Sequence, residues 1–275
     1  VILDQRDIAA VVALLREVAA TEIMPRFGKL TAADIRTKSG PLDPVTIADE
    51  AAERALDEGL RRLFPGTDVI GEEGCAGDPA LLDRLTLPGP VWVIDPIDGT
   101  ANYAAELPLF GSMIALIDAG RVLAGFIHDP LGGDTAIAMA GGGAWLIAAD
   151  DTRRQLRVAA PVPVARMTGA ISWRYLREPL RSRILHRLDR IAATPDFRCA
   201  AHQYRMLAAG HCHVQLFGRL LPWDHAAGVL LHREAGGYGA HFDGTAYHPA
   251  AGKAGLLMAP DEASWHAFAE VFLAP

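Results

Sequence analysis

The sequence predicts an α/β protein whose first half is α+β, helices packed on a largely antiparallel sheet, and whose second half alternates helices and strands. Three observations carry this expectation. Two early segments repeat apolar residues at helical spacing, short β-branched segments separated by Gly, Pro and Asp follow, and beyond about Ala149 strand-like and helical segments take turns. With 275 residues, 51% of them apolar, the chain can bury one large layered core or two closely joined halves, here residues 1–149 and 150–275.

The first helix is expected at about 7–24, where Ile8, Val11, Val12, Leu15, Val18 and Ala19 recur on one face before Pro25 and Gly28 end or kink it. A loop of Lys, Ser, Gly and Pro at 37–44 leads into a second helix at about 48–63. Strand-like segments then stand at 69–72, 91–95, 110–117, 122–128 and 135–139, and Gly141-Gly142-Gly143 turns the chain into 144–146. The second half offers 171–173, helices at 181–191 and 204–209, a strand at 214–217, a long helix at 224–235 and a closing strand at 256–259. No internal repeat or disordered linker is visible, so the boundary near Ala149 reads as a change of layer.

Chemistry concentrates in Asp95-Pro96-Ile97-Asp98-Gly99-Thr100, directly behind the buried-strand run Val91-Trp92-Val93-Ile94. Pro96 pushes Asp95 towards an extended conformation that ends the strand, and the turn can aim both acids at one point. Gly99 permits a close backbone approach, and Thr100 adds a hydroxyl beside amides that could begin a helix, which suits a bound phosphate. An Asp-rich turn capping a helix is the plain alternative. Three further segments carry acids: Gly71-Glu72-Glu73-Gly74 after Val69-Ile70, Trp223-Asp224 before His225-Ala226-Ala227-Gly228, and Asp43 to Asp49 at the start of the second helix. Clustered carboxylates repel, so a cation is needed to make them tolerable. All-oxygen donors point to Mg²⁺, with Mn²⁺ as substitute.

Composition excludes several classes. No uninterrupted apolar run approaches the roughly 20 residues of a membrane span, and the start Val1-Ile2-Leu3-Asp4 lacks a basic-then-apolar signal. A net charge of -7 disfavours autonomous nucleic-acid binding, and a cytoplasmic address follows as the default. Cys75, Cys199 and Cys212 are odd in number and widely spaced, so reduced thiols are expected. His211-Cys212-His213 could suggest a soft-metal clip, but it has no partner pair at zinc spacing and reads as a helix-to-strand turn.

Together, in this order, the acid segments resemble the inositol monophosphatase family of metal-dependent, lithium-sensitive phosphatases. The resemblance runs from Lys38 through Asp224 to Glu234-Ala235-Gly236-Gly237, and it is most specific in the segments from Trp92 to Tyr103 and from Pro222 to Gly228. It implies an αβαβα five-layer sandwich, a homodimer, and two or three Mg²⁺ between the halves. Glu72, Asp95 and the carbonyl of Ile97 would hold one ion; Asp95, Asp98 and Asp224 a second. Thr100 and Asp49 would orient and deprotonate the attacking water, and the amides of Gly99 and Thr100 would hold the phosphate. In the same resemblance Glu73 and Lys38 lie near a weaker third ion, although a solvated acid and a loop lysine describe them equally well.

Substrate choice departs from the pattern. Family members acting on inositol phosphates carry a Glu seven residues before the Trp-linked Asp, and this chain has Phe217 there. An apolar ring cannot accept hydrogen bonds from polyol hydroxyls; a local shift would bring Gln215 or Arg219 into its place. The resemblance as a whole still implies hydrolysis of a small phosphorylated polyol or related metabolite by metal-activated water attack. A 3′-phosphoadenosine-type nucleotide, fructose bisphosphate or histidinol phosphate stand as alternatives, and a role as partner of the transcription machinery is the non-enzymatic one.

Overall fold

The computed structural model describes residues 3–38, 40, 43–250 and 255–275. Val1, Ile2 and, from the expected loop at 37–44, Ser39, Pro41 and Leu42 lie outside the described residues. Helix α1 (Gln5–Val18) is capped by Asp4, whose carboxylate accepts the amides of Arg6 and Asp7. It continues to Ile23 as a π-helical turn, Ala19–Ile23, where the Thr21 hydroxyl takes the carbonyl of Glu17. The expected loop at 37–44 joins a short antiparallel hairpin, β1 (Ile35–Thr37) and β2 (Pro44–Thr46), which leads into α2 (Ile47–Leu63).

Next come β3 (Asp68–Gly71), α3 (Glu72–Gly77), β4 (Pro90–Asp98), α4 (Thr100–Ala104), β5 (Gly111–Asp118), β6 (Arg121–Asp129), β7 (Asp134–Met139), β8 (Gly143–Ile147) and β9 (Arg153–Gln155). The seven strands β3 to β9 form one sheet in sequence order, parallel only between β3 and β4. The remaining elements are β10 (Gly169–Ile171), α5 (Leu180–Leu185), α6 (Ala200–Ala208), β11 (Val214–Phe217), α7 (Pro222–Glu234), β12 (Tyr238–His241), β13 (Leu256–Ala259) and α8 (Glu262–Phe272). Their strands make a second sheet ordered β10-β11-β13-β12.

Three apolar cores glue five layers together, α1 and α2, the large sheet, α6 and α7, the small sheet, then α8. Trp92 and Ile94 of β4 pack with Val11, Leu15, Leu56 and Leu60 of the first layer. Val91 and Val93 face the opposite way, into a core shared with Tyr204, Leu230 and Phe217. A strand buried on both faces has no polar side to show, which is why this run reads as continuously apolar. Leu216 and Leu257 of the small sheet meet Trp265, Phe268 and Phe272 of α8 in the third core.

Several expected boundaries are corrected. β4 does not end at Asp95; it runs to Asp98 through a register shift between Asp95 and Asp98, where the Ser112 hydroxyl binds the carbonyl of Pro96 at 2.7 Å. Pro96 has no N–H to offer the ladder, and a bulge absorbs that loss without stopping the strand. The segment at 171–173 is β10 followed by a 3₁₀ turn, Trp173–Tyr175. The helix expected at 181–191 stops at Leu185, with a separate 3₁₀ turn at Leu188–Arg190, and the one expected at 204–209 begins at Ala200. β13 is not a closing strand, since it lies between β11 and β12 and α8 follows it. The large sheet also gains β9, Arg-Arg-Gln, three exposed residues with no apolar side chain to betray a strand.

Candidate active site

The parallel pairing of β3 with β4 sets Gly71 beside Ile94, so the next residues, Glu72 and Asp95, leave the sheet side by side. α7 lies across the large sheet on the small buried residues Ala226 and Ala227, which carries Asp224 in its first turn to the same edge. As a result Glu72, Asp95 and Asp224 each offer a carboxylate oxygen within 4.8 Å of the other two. Burial raises the pKa of Asp95 and Asp224 well above the ordinary carboxylate range, and the charge of Glu72 adds to it. Asp95 is 2% exposed, and its Oδ1 finds no hydrogen-bond partner among the described residues. A buried, unpartnered carboxylate oxygen facing two more acids is costly unless a cation satisfies it. The all-oxygen set fits a hard divalent ion.

Asp98 reaches the same cavity in a different posture. Its Oδ2 accepts the amide of Ala201 at 2.6 Å and the thiol of Cys199 at 3.0 Å, at the start of α6. Burial pushes its pKa up, and these hydrogen bonds pull against that push. Gly99, at φ +87°, turns the chain from β4 into α4; a side chain there would strike the carbonyl of Leu109 and Cβ of Cys199. The first-turn amides of a helix have no intrahelical partner, and those of α4 open beside the acids.

Asp49 is 1% exposed at the start of α2. Its Oδ2 accepts the Thr46 amide at 2.9 Å and the Thr46 hydroxyl at 2.5 Å, while Oδ1 lies 3.0 Å from the Thr100 hydroxyl. Burial lifts its pKa to about 6 against the pull of these bonds. Thr100 Oγ1 is also 2.9 Å from the carbonyl of Ile97. One hydroxyl proton serves either Asp49 or Ile97 at a given moment.

Lys38 Nζ sits 2.5 Å from Glu72 and 2.9 Å from Glu73. Burial works to lower the lysine pKa, and the two carboxylates outweigh it and raise it. Glu73 is pushed up to about 7 by burial and by Glu72. Glu53, one turn beyond Asp49 on α2, accepts the amides of Glu73 and Gly74 at 2.7 Å each. It supplies the cap that Gly71 lacks, and a Cβ on Gly71 would fall 2.1 Å from its carboxyl carbon. Gly-Glu-Glu is therefore a packing requirement as well as a charge pattern. Helical spacing from Asp49 is the signal that could have found Glu53 in the sequence.

A cavity of about 440 Å³ is lined by Glu72, Asp95, Ile97, Asp98, Gly99, Thr100 and Asp224 on one side. Trp173, Tyr175, Phe217 and Arg219 line the other. The Phe217 ring stacks on Tyr204 at 5.0 Å and meets His225 edge-on at 4.7 Å. Gln215 is turned into the core, its amide on Cys212 Sγ and the Gln203 carbonyl. Of the two substitutes considered for Phe217, only Arg219 borders the cavity. The Trp173–Tyr175 turn and Cys199 carry no sequence motif; tertiary packing alone brings them in. All three cysteines are buried free thiols, and His211-Cys212-His213 joins α6 to β11 with His213 on the amide of Thr168.

The sequence profile of the inositol monophosphatase family matches residues 4–272. An inositol-1-monophosphatase of Bacillus subtilis is 31% identical over 225 residues, 81% of this chain and 80% of its own length. A Thermotoga maritima protein named fructose-1,6-bisphosphatase/inositol-1-monophosphatase is 31% identical over 232 residues, 84% of this chain and 83% of its own. The solved structure of a Thermotoga maritima IMPase superposes with a TM-score of 0.79 at 26% identity, covering 98% of both chains.

Proposed function

The chain belongs to the inositol monophosphatase family and is a phosphoric monoester hydrolase, and on that premise we propose that it works with Mg²⁺ held by Glu72, Asp95, Asp98, Asp224 and the carbonyl of Ile97. The observation that carries this reading is Oδ1 of buried Asp95, without a hydrogen-bond partner among the described residues and close to the carboxylates of Glu72 and Asp224. These residues would hold two or three divalent ions, with Mn²⁺ as substitute, and such ions would supply positive charge beside the phosphoryl oxygens and lower the pKa of a water.

The chain's own groups do the rest. Thr100 accepts a hydrogen bond from the attacking water and passes its own proton to Asp49, whose Oδ1 lies 3.0 Å from the Thr100 hydroxyl. The first-turn amides at Gly99 and Thr100 hold phosphate oxygens. Lys38 offsets one of the two negative charges of Glu72 and Glu73, so the outer end of the site needs less added charge. Asp98, held by Cys199 and Ala201, keeps its second oxygen for the leaving-group side.

Family membership fixes the reaction more tightly than the alcohol, as the double name of the Thermotoga relative illustrates. Phe217 presents a ring where hydroxyls would need an acceptor, which argues against inositol phosphates as preferred substrates. The proposal includes a homodimer and a cytoplasmic address; among the described residues no helix is long and apolar enough to cross a membrane. A phosphate-release screen over phosphomonoesters with Mg²⁺ tests the function. Hydrolysis of at least one ester, with inositol 1-phosphate not the best, is expected; inositol 1-phosphate ahead of the whole panel removes Phe217 from its assigned place.

A further inference from the structure

We propose that Tyr204 and His225 are positioning residues, a buried hydrogen-bonded pair that ties α6 to α7 and so sets the spacing of Asp98 and Asp224 for the ion they share. This rests on the metal reading of the acid cluster.

The two acids depend on different helices. Asp98 leaves β4 but is gripped at the start of α6 by the Cys199 thiol and the Ala201 amide, whereas Asp224 rides in the first turn of α7. Their separation therefore follows how one helix sits against the other. Both helices belong to one apolar core that holds Leu207, Ala208, Ala227 and Leu231. Apolar packing fills such a contact without fixing a single arrangement, and two like charges push it open.

α7 has no side-chain cap at its N-terminus, where Leu221 precedes Pro222. Its entry is fixed instead by His225, which ties the first turn back to the preceding loop. A carbonyl only accepts, so His225 Nε2 carries the proton and donates to the Arg219 carbonyl at 3.0 Å. Nδ1 is left as an acceptor and takes the Tyr204 hydroxyl, also at 3.0 Å. Both side chains are buried, and a satisfied polar pair in an apolar contact specifies one geometry. Gly228, a turn beyond Asp224, sets the depth of contact: a Cβ there would lie 2.1 Å from Cδ2 of Tyr204. Tyr204 stands within one turn of Ala201 on α6, and His225 is next to Asp224 on α7. The tie thus acts close to both acids.

Three variants break it at different points. Tyr204→Phe removes the hydroxyl and keeps the ring. His225→Gln can place its amide near Nε2 for the Arg219 carbonyl and offers nothing at Nδ1, whereas His225→Asn can place an oxygen near Nδ1 for Tyr204 and gives up Arg219. Calorimetric Mg²⁺ titration of metal-stripped protein should show one binding step weakened about tenfold in Tyr204→Phe and in His225→Gln, the scale of losing a group that orients a ligand. Combining the two should add no further loss, because they break the same bond. His225→Asn should stay within a few-fold of the native affinity. Hydrolysis of p-nitrophenyl phosphate should need about tenfold more Mg²⁺ for half-maximal rate in the first two variants, with kcat at saturating Mg²⁺ kept within a few-fold. Melts in EDTA check that each variant folds. A lowered Tm with unchanged Mg²⁺ isotherms makes the pair merely structural and overturns the proposal, as does a His225→Asn protein as weak as His225→Gln. If the native protein takes up no Mg²⁺, the metal reading itself fails. Hydrogen exchange of the Ala201 amide in EDTA then decides the tie alone: exchange about tenfold faster in Tyr204→Phe than in the native protein supports it, and equal exchange overturns it.

Discussion

Replacing Asp49 with Asn keeps the side chain's shape and removes its charge, so it separates a base from a metal ligand. The amide oxygen can stay at the Oδ2 position and still accept the Thr46 amide and hydroxyl. The NH₂ group then faces Thr100 Oγ1, 3.0 Å away in the native protein, and can only donate to it. Thr100 must turn its proton to the carbonyl of Ile97 at 2.9 Å, and no acceptor remains for a proton arriving from water. Loss of a general base lowers kcat by ~10²–10⁴-fold, about 3–5 kcal/mol of barrier at ~1.36 kcal/mol per decade. Asp49 is outside the trio of Glu72, Asp95 and Asp224, so Mg²⁺ affinity should change no more than a few-fold. Phosphate release at saturating Mg²⁺ and calorimetric Mg²⁺ titration, run side by side, read the two effects. Parallel loss of affinity and rate would make Asp49 a ligand and refute the division of roles; an unchanged rate would remove the base altogether.

Glu53→Ala removes the acceptor for the amides of Glu73 and Gly74; it should cost about 1–2 kcal/mol of stability and weaken Mg²⁺ binding about tenfold, read by denaturant melts and calorimetry. Phe217→Glu removes two ring contacts and buries an acid, so Tm should drop, while kcat/KM for inositol 1-phosphate relative to 3′-AMP should rise about tenfold. The pH dependence of stability without metal follows from Asp49 and Glu73, whose folded pKa values of about 6 and 7 stand above the ordinary 3.8 and 4.5. Between those limits the folded state holds more protons than the unfolded one, so stability present at low pH is lost as pH rises through the window. Tm in EDTA should fall from pH 5 to 7.5 and Mg²⁺ should cancel the fall; a flat or rising Tm in EDTA contradicts the shifts.

Legibility in the sequence followed the physics of each segment. The β4 run was readable because both its faces are buried, and the acid segments because each sits where a strand or loop meets a helix. α8 is written in Trp265, Phe268 and Phe272 behind the cap Asp261, a signal short enough to pass for a tail. β12, Tyr-Gly-Ala-His, has no β-branched residue and exists through its pairing with β13. Asp98 was legible as an acid but not in its posture, because the thiol that holds it comes from 101 residues away. Phe217 announced itself by its position, whereas the arginine and aromatic wall around it depends on Gly218 packing against a 3₁₀ turn, which no local pattern encodes.

Phosphate release by EDTA-stripped protein during Mg²⁺ add-back, compared between the native chain and Asp95→Asn, tests the central claim most directly. Asp95 lies within 4.8 Å of Glu72 and Asp224, ligand atom to ligand atom, and its Oδ1 has no hydrogen-bond partner among the described residues, so its charge should be needed for both metal binding and turnover. The account predicts no turnover in EDTA, recovery with Mg²⁺ in the native protein, and little recovery at any Mg²⁺ concentration in Asp95→Asn. Full activity in EDTA, or an Asp95→Asn protein that recovers like the native one, would contradict it.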